Sequence, residues 1–132
     1  MRKVVPPNVL PKNSLLSMFA PRDDQHGNTL KGMGASAGKV TGRACVMRGP
    51  EDFGLMQPGD VIVAVITTSA WTPLFARASA VVTDIGGPLS HSSIVAREYG
   101  IPAVLGTGNA TRRIQNGQII SVDGGAGTVN LM

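Results

Sequence analysis

A layered α/β or β/β/α domain, with strands packed against a few short helices, is the fold class this sequence predicts. Three observations predict it. Apolar runs of strand length alternate with short segments of helical character along most of the chain. Hydrophobic residues make up 42% but aromatics only 4%, so the core must be built from Val, Ile, Leu and Ala. Seventeen Gly and nine Pro demand many turns, which suits a strand-rich or mixed fold better than a helical bundle.

Residues 1–31 differ from the rest. They carry Pro6, Pro7, Pro11 and Pro21 and the polar run from Arg22 to Asn28, with weak periodicity. This stretch reads as a linker or N-terminal extension, and one compact domain is expected over 32–132. The segment from Gly32 to Ala37 reads as a turn before a strand. Lys39 to Met47 then alternates as a strand, with Val40, Gly42, Ala44 and Val46 on one face. Pro58-Gly59-Asp60 is a turn. Val61 to Ile66 is continuously apolar, as in a strand buried on both faces. Thr72-Pro73 starts a short helix to about Ala78, with Thr as cap and Pro at the first helical position. Ala80 to Thr83 is a further strand.

Gly86-Gly87-Pro88 turns the chain into a second helix, about Ser90 to Tyr99, which Gly100 ends and Pro102 keeps from resuming. Ala103 to Leu105 is a short strand. Asn109 caps a third short helix that ends before Gly117. Gln118 to Val122 and Thr128 to Leu131 are closing strands around the turn Asp123-Gly124-Gly125.

The formal charge is +4, but the Lys and Arg residues are scattered and no aromatics interleave with them. That argues for a solvated basic surface and against a nucleic-acid partner. No apolar run approaches the roughly 18 residues of a membrane span, and no signal-peptide core follows Arg2 and Lys3, so a cytoplasmic, membrane-free protein is expected. Cys45 is the single cysteine and sits in an alternating apolar stretch, where it reads as a small buried hydrophobe. No Cys/His spacing suits a metal, and Asp and Glu are scattered, so no metal ligand is expected.

The chemistry concentrates between Thr83 and Gly100. This is a strand end, a diglycine turn, and a helix whose first residues are Ser90 and His91. Unpaired amides and the positive end of the dipole make a helix start an anion site. Gly86 and Gly87 allow positive φ and close approach to a ligand. Ser90, Ser92 and Ser93 are expected to add hydroxyl donors. A histidine there, neutral in large part near pH 7, is a good nucleophile and can carry a phosphoryl group. Phosphoryl transfer asks mainly for positioning and charge stabilisation, which this loop offers.

The run from Gly86 to Val104, GGPLSHSSIVAREYGIPAV, resembles the signature of the mobile, swivelling phosphohistidine domain of phosphoenolpyruvate-utilising enzymes. Pyruvate phosphate dikinase, phosphoenolpyruvate synthase and rifampicin phosphotransferase belong to that family. The likeness extends through Gly34 to Ala44, Pro58 to Val61 and Gln118 to Val129, and so covers about residues 32–132. The resemblance implies a compact β/β/α swivelling domain. It implies that His91 takes a phosphoryl group from ATP on a partner ATP-grasp domain. The domain then swings to an acceptor-substrate domain or subunit and hands the group to pyruvate or another small molecule. ATP and Mg2+ would belong to the partners, and this domain would bind no cofactor itself. Thr83, Gly86, Gly87 and Ser90 match the motif around the histidine, Ser92 joins them as a supporting residue, and Thr83 is expected to orient the imidazole. Leu89 stands where dikinases and synthases usually have a threonine, so regulation through a hydroxyl there is not expected. Trp71-Thr72-Pro73 resembles the rifampicin phosphotransferase and synthase-like branches. The chain has no room for the partner domains, and residues 1–31 suit a swivel tether.

Two alternatives remain. Gly34-Ala35-Ser36-Ala37-Gly38 fits the G-x-S-x-G pattern of a hydrolase nucleophile, and Ser36, then Asp60 or Asp84, then His91 follow the hydrolase order. An elbow needs a strand before the serine and a helix after it, and neither is expected here. The other alternative is a non-catalytic interaction module of the same fold.

Overall fold

The structure is a computed structural model and describes residues 28–132; the segment expected to be a tether lies almost wholly outside them. Eight strands are described: β1 Thr29–Lys31, β2 Met33–Ser36, β3 Lys39–Val46, β4 Val61–Ala64, β5 Ala80–Thr83, β6 Ala103–Leu105, β7 Ile119–Asp123 and β8 Thr128–Leu131. Three short or medium helices accompany them: α1 Thr72–Phe75, α2 His91–Tyr99 and α3 Ala110–Arg113. The strands form one mixed sheet in the order β1-β8-β7-β3-β4-β5-β6-β2. The centre, β3-β4-β5-β6, is parallel, and both flanks are antiparallel.

β1 and β2 are separated in sequence by Gly32 alone, yet they lie at opposite ends of the strand order. The sheet therefore curls until its edges meet. The amide of Gly32 bonds the carbonyl of Gly127, 2.9 Å away. A Cβ on Gly124 would fall 1.8 Å from the Ser36 carbonyl oxygen, and one on Gly34 would fall 2.1 Å from that of Gly124. Only glycine permits that approach of backbone to backbone.

Curling makes two cores. One lies inside the curl and gathers Leu30, Ala44, Val61, Val63, Val82, Ile120 and Val129, with Ala110 of α3 and Ile114 just after that helix closing it. The other lies between the outer face of the parallel strands and the helices, and gathers Cys45, Ile62, Val81 and Leu105 with Trp71, Leu74, Phe75, Val95 and Ala96. Strand on strand with helices outside is the expected β/β/α arrangement. Alternation along β3 explains how one strand serves both cores: Ala44 faces the first and Cys45 the second.

Several elements differ from the sequence reading. The sheet begins before Gly32, because Leu30 of β1 is fully buried and β1 pairs with β8. β2 is a true strand, where a turn was expected, since the curled sheet needs a second edge against β6. β4 ends at Ala64, so Val65 and Ile66 are exposed where burial was expected. Asn109 makes no side-chain cap; the Thr107 hydroxyl instead accepts from the amide of Ala110, 3.2 Å away. α2 follows expectation closely. Ser90 is its N-cap, and Gly100 ends it at φ +69° with its amide on the carbonyls of Ala96 and Arg97.

Candidate active site

Two loops leave the C-terminal ends of the parallel neighbours β4 and β5. That edge of a parallel sheet is where α/β folds place ligands. The β4 loop brings Thr67 and then, through the turn Ser69–Trp71, helix α1. The β5 loop brings the diglycine turn and His91, the first residue of α2.

His91 is half-buried and gripped at both nitrogens. Thr67 Oγ1 lies 2.8 Å from Nδ1 and Thr72 Oγ1 lies 2.9 Å from Nε2. The buried ring of Phe75 stands edge-to-face with the imidazole, centroids 5.6 Å apart and planes at 88°. Burial lowers the imidazole pKa below its usual 6.5, because the charged form loses hydration there. Thr67 is itself buried and shares its hydroxyl with Ser92 Oγ in a short hydrogen bond.

The residues expected around the histidine shape the loop more than they line a ligand. Thr83 was expected to orient the ring. Its buried hydroxyl instead donates to the Ile85 carbonyl, 2.8 Å away, and so ties the loop back to β5. Gly86 has φ +152°, and a Cβ on it would meet Thr83 Oγ1 at 3.3 Å and Ser90 Oγ at 3.4 Å. Gly87 does not have the positive φ expected of it, and its side faces open space. Its role is its carbonyl, which accepts from the amide and the hydroxyl of Ser90, at 3.1 and 2.7 Å. Ser90 Oγ in turn accepts from the Ser93 amide at 3.4 Å. Ser92 and Ser93 were expected as ligand donors, but both are buried. Ser92 bonds Thr67, and Ser93 accepts from the Arg97 guanidinium at 3.0 Å. The amides of His91 and Ser92 remain at the helix start, where helix geometry offers them no acceptor.

Sequence reasoning missed Thr67, Thr72 and Phe75. Thr72 was expected to cap α1, but Trp71 is the cap, and the Thr72 hydroxyl turns to His91. The available signal was positional: Thr67 and Thr68 follow an apolar parallel strand, where ligand-handling side chains collect. Asp60 and Ser36 do not join the site. Asp60 is buried in a two-pronged ion pair with Arg43 and also accepts the Gln57 amide. Ser36 lies within β2, nearly buried, and not at a strand-to-helix elbow, which removes the hydrolase reading.

Among the described residues no three His, Cys, Asp or Glu side chains come together as a metal site. No described helix is long and apolar enough to cross a membrane. Comparison with known proteins adds the following. An uncharacterized phosphotransferase of Bacillus subtilis, YvkC, is 50% identical over 105 residues, which is 80% of this chain and 13% of that protein. Rifampicin phosphotransferase of Bacillus cereus is 37% identical over 131 residues, 98% of this chain and 15% of that protein. The chain thus spans a small part of these relatives. The solution structure of an Enzyme I protein is 35% identical with a TM-score of 0.52, covering 58% of this chain and 32% of that one. The family model described as "PEP-utilising enzyme, mobile domain" matches residues 56–127, a span running from the approach to β4 past His91 to the turn before β8. With more than half of its length inside that match, the chain belongs to the mobile-domain family of PEP-utilising enzymes.

Proposed function

We propose that this chain is a phosphoryl carrier, modified on His91 and shuttling the group between an ATP-grasp site and an acceptor site on partner domains. The observation that carries the reading is the paired threonine grip on a half-buried imidazole at the start of α2. Nδ1 lies behind the buried Thr67, whereas Nε2 faces the half-buried Thr72. This reading therefore takes Nε2 as the nitrogen that attacks phosphorus. The network then runs one way. Nδ1–H donates to Thr67, Thr67 donates to Ser92, and Thr72 donates to the Nε2 lone pair until it is displaced.

In the first half-reaction the Nε2 lone pair attacks a phosphorus of ATP. The P–N bond forms, the P–O bond to the rest of the nucleotide breaks, and that leaving group departs with the electron pair. The proton on Nδ1 stays in place, held by Thr67. In this reading the displaced Thr72 hydroxyl and the positive start of α2 stabilise the new negative charge. In the second half-reaction an acceptor oxygen attacks phosphorus and the P–N electron pair returns to Nε2. Nucleotide and magnesium belong to the partner in this reading, and no step here runs through a metal. The acceptor is pyruvate or another small molecule.

The test is incubation with an ATP-grasp partner and ATP carrying 32P in both its β- and γ-phosphates. The expected result is one acid-labile, base-stable phosphate per chain, absent from His91→Ala. A chain that takes no label would be a non-catalytic interaction module.

A further inference from the structure

Two of the hydroxyls around His91 are closed to water: Thr67 is 3% exposed and Ser92 1%. Thr72, at the other ring nitrogen, is half-buried. Among the described residues Thr67 Oγ1 has two hydrogen-bond partners, His91 Nδ1 and Ser92 Oγ, and Ser92 Oγ has Thr67 alone. Nδ1, Thr67 and Ser92 therefore form a short chain of hydrogen bonds that ends at the serine.

A hydroxyl carries one proton, so Thr67 can give it to one of these partners and not to both. The neutral ring also carries one proton, on one nitrogen or the other, and the two choices are linked. When Thr67 donates to Ser92, its oxygen is free to accept from Nδ1–H, and Nε2 keeps its lone pair. When Thr67 donates to Nδ1, that nitrogen must be bare. The ring proton then sits on Nε2 and donates to Thr72 Oγ1, and Nε2 has no lone pair to offer. Ser92 can take either end of its bond with Thr67, so the parent chain has both arrangements within reach. Without the Ser92 oxygen the first is lost. A Thr67 that still accepted from Nδ1–H would bury its own proton without an acceptor, which folded proteins avoid.

We infer that Ser92 is a positioning residue for the chemistry: acting through Thr67, it holds His91 in the tautomer whose Nε2 is bare. The inference deepens the carrier reading, which uses Nε2 as the attacking atom. Helix α2 supplies the ring and, one residue on, the acceptor that fixes the ring proton, while the loop after β4 supplies the bridge between them.

The test reads the tautomer directly. The full 132-residue chain, labelled with 15N in its histidines, is observed by long-range 1H–15N correlation at a pH where the ring is neutral. The His91 signals are those absent from His91→Ala. Protonated and bare ring nitrogens are distinct in this experiment, so each chain reports its own tautomer. The parent should show Nδ1–H as its main form and Ser92→Ala should show Nε2–H, a change in the tautomer ratio of about tenfold or more. Ser92→Thr returns a hydroxyl to the same place and should return the parent pattern. Potassium phosphoramidate phosphorylates histidine without any partner. The label it places on His91, read as the label that His91→Ala lacks, should form about tenfold or more slowly in Ser92→Ala. A parent ring held as Nε2–H would overturn the role of Ser92. So would one tautomer shared by parent and Ser92→Ala, or equal labelling rates for the two. A ring held as Nδ1–H by Ser92 that no ATP-grasp partner phosphorylates would instead remove the carrier reading and leave the tautomer coupling in place.

Discussion

Thr67 Oγ1 stands 2.8 Å from Nδ1 of His91 and bonds Ser92 Oγ as well, so one buried hydroxyl couples the imidazole to the first turn of its own helix. Valine at this position keeps the shape and removes both contacts. It leaves Nδ1 and the Ser92 hydroxyl without their shared partner in a buried place, at a cost of about 1–3 kcal/mol. Thr67→Val should therefore lower the melting temperature, and it should slow labelling of His91 by about tenfold or more because the ring is no longer held in register. Thr67→Ser keeps the hydroxyl and should recover most of the labelling rate. Equal labelling by the Val and Ser variants would remove Thr67 as a positioning residue.

Burial lowers the His91 pKa below 6.5, and the sign of that shift fixes two pH dependences. The neutral ring is the nucleophile, so labelling should be flat near pH 7 and fall with a midpoint below 6.5 as protonation sets in. For stability, the unfolded chain binds the proton more readily than the folded one. The contribution is thus fully present above the unfolded value and is lost as pH falls through the folded value. The difference in melting temperature between the parent and His91→Gln should change over that window and be constant above it. A labelling midpoint above 6.5 would show that a neighbouring group stabilises the charged ring.

The two glycines of the turn should respond oppositely to the same change. Gly86 has φ +152° and is enclosed by Thr83, Ser90 and Leu105. Gly86→Ala forces a backbone that only glycine adopts easily, costing about 1–3 kcal/mol, and shifts the loop that delivers His91. Gly87 lacks positive φ and faces open space, so Gly87→Ala should change stability by no more than about 0.5 kcal/mol and leave labelling intact. Thermal melts and labelling rates of the two variants check this contrast.

That contrast shows which parts of the site could be read in the sequence. His91, its cap Ser90 and its stop Gly100 lie on one continuous segment, where spacing alone places them. The strands β3, β5, β6 and β8 were equally plain, because period-two alternation and apolar runs are local signals. The threonine grip was hidden because it is made by tertiary closure: Thr67 and Thr72 lie 24 and 19 residues from His91. β2 was hidden for a similar reason, since Gly34 and Gly124 meet only once the sheet has curled. The serine-rich start of α2 misled in the other direction. Serines at a helix start suggest ligand donors, yet Ser92 and Ser93 face inward and spend their hydroxyls on Thr67 and Arg97.

Cys45 offers a probe of the same core. It is 1% exposed in the layer between sheet and helices, and burial, with Asp60 adding to it, pushes its thiol pKa up. Both effects suppress the thiolate, which is the reactive species. Cys45 should resist a thiol reagent in the native chain and react at a rate set by unfolding. Rapid labelling without denaturant would show local opening of β3.

Asp60 tests whether stability and chemistry separate in this domain. Its buried carboxylate takes Arg43 Nε at 3.1 Å and a terminal guanidinium nitrogen at 2.6 Å, and the Gln57 amide at 2.9 Å. Its backbone also holds the turn before β4, donating to the Gln57 carbonyl and accepting from the Ser79 amide. Asp60→Ala strands a guanidinium that is still one-third exposed, so water recovers part of the loss, and a cost of about 2 kcal/mol is expected. The pair ties β3 to the start of β4, at the end of the strand remote from the Thr67 loop. Phosphoramidate labelling of His91, read as the label that His91→Ala lacks, should therefore keep its parent rate below the lowered melting temperature. A variant that stays folded but loses labelling would place Asp60 in the chemistry and revive a role for it that the ion pair with Arg43 now accounts for.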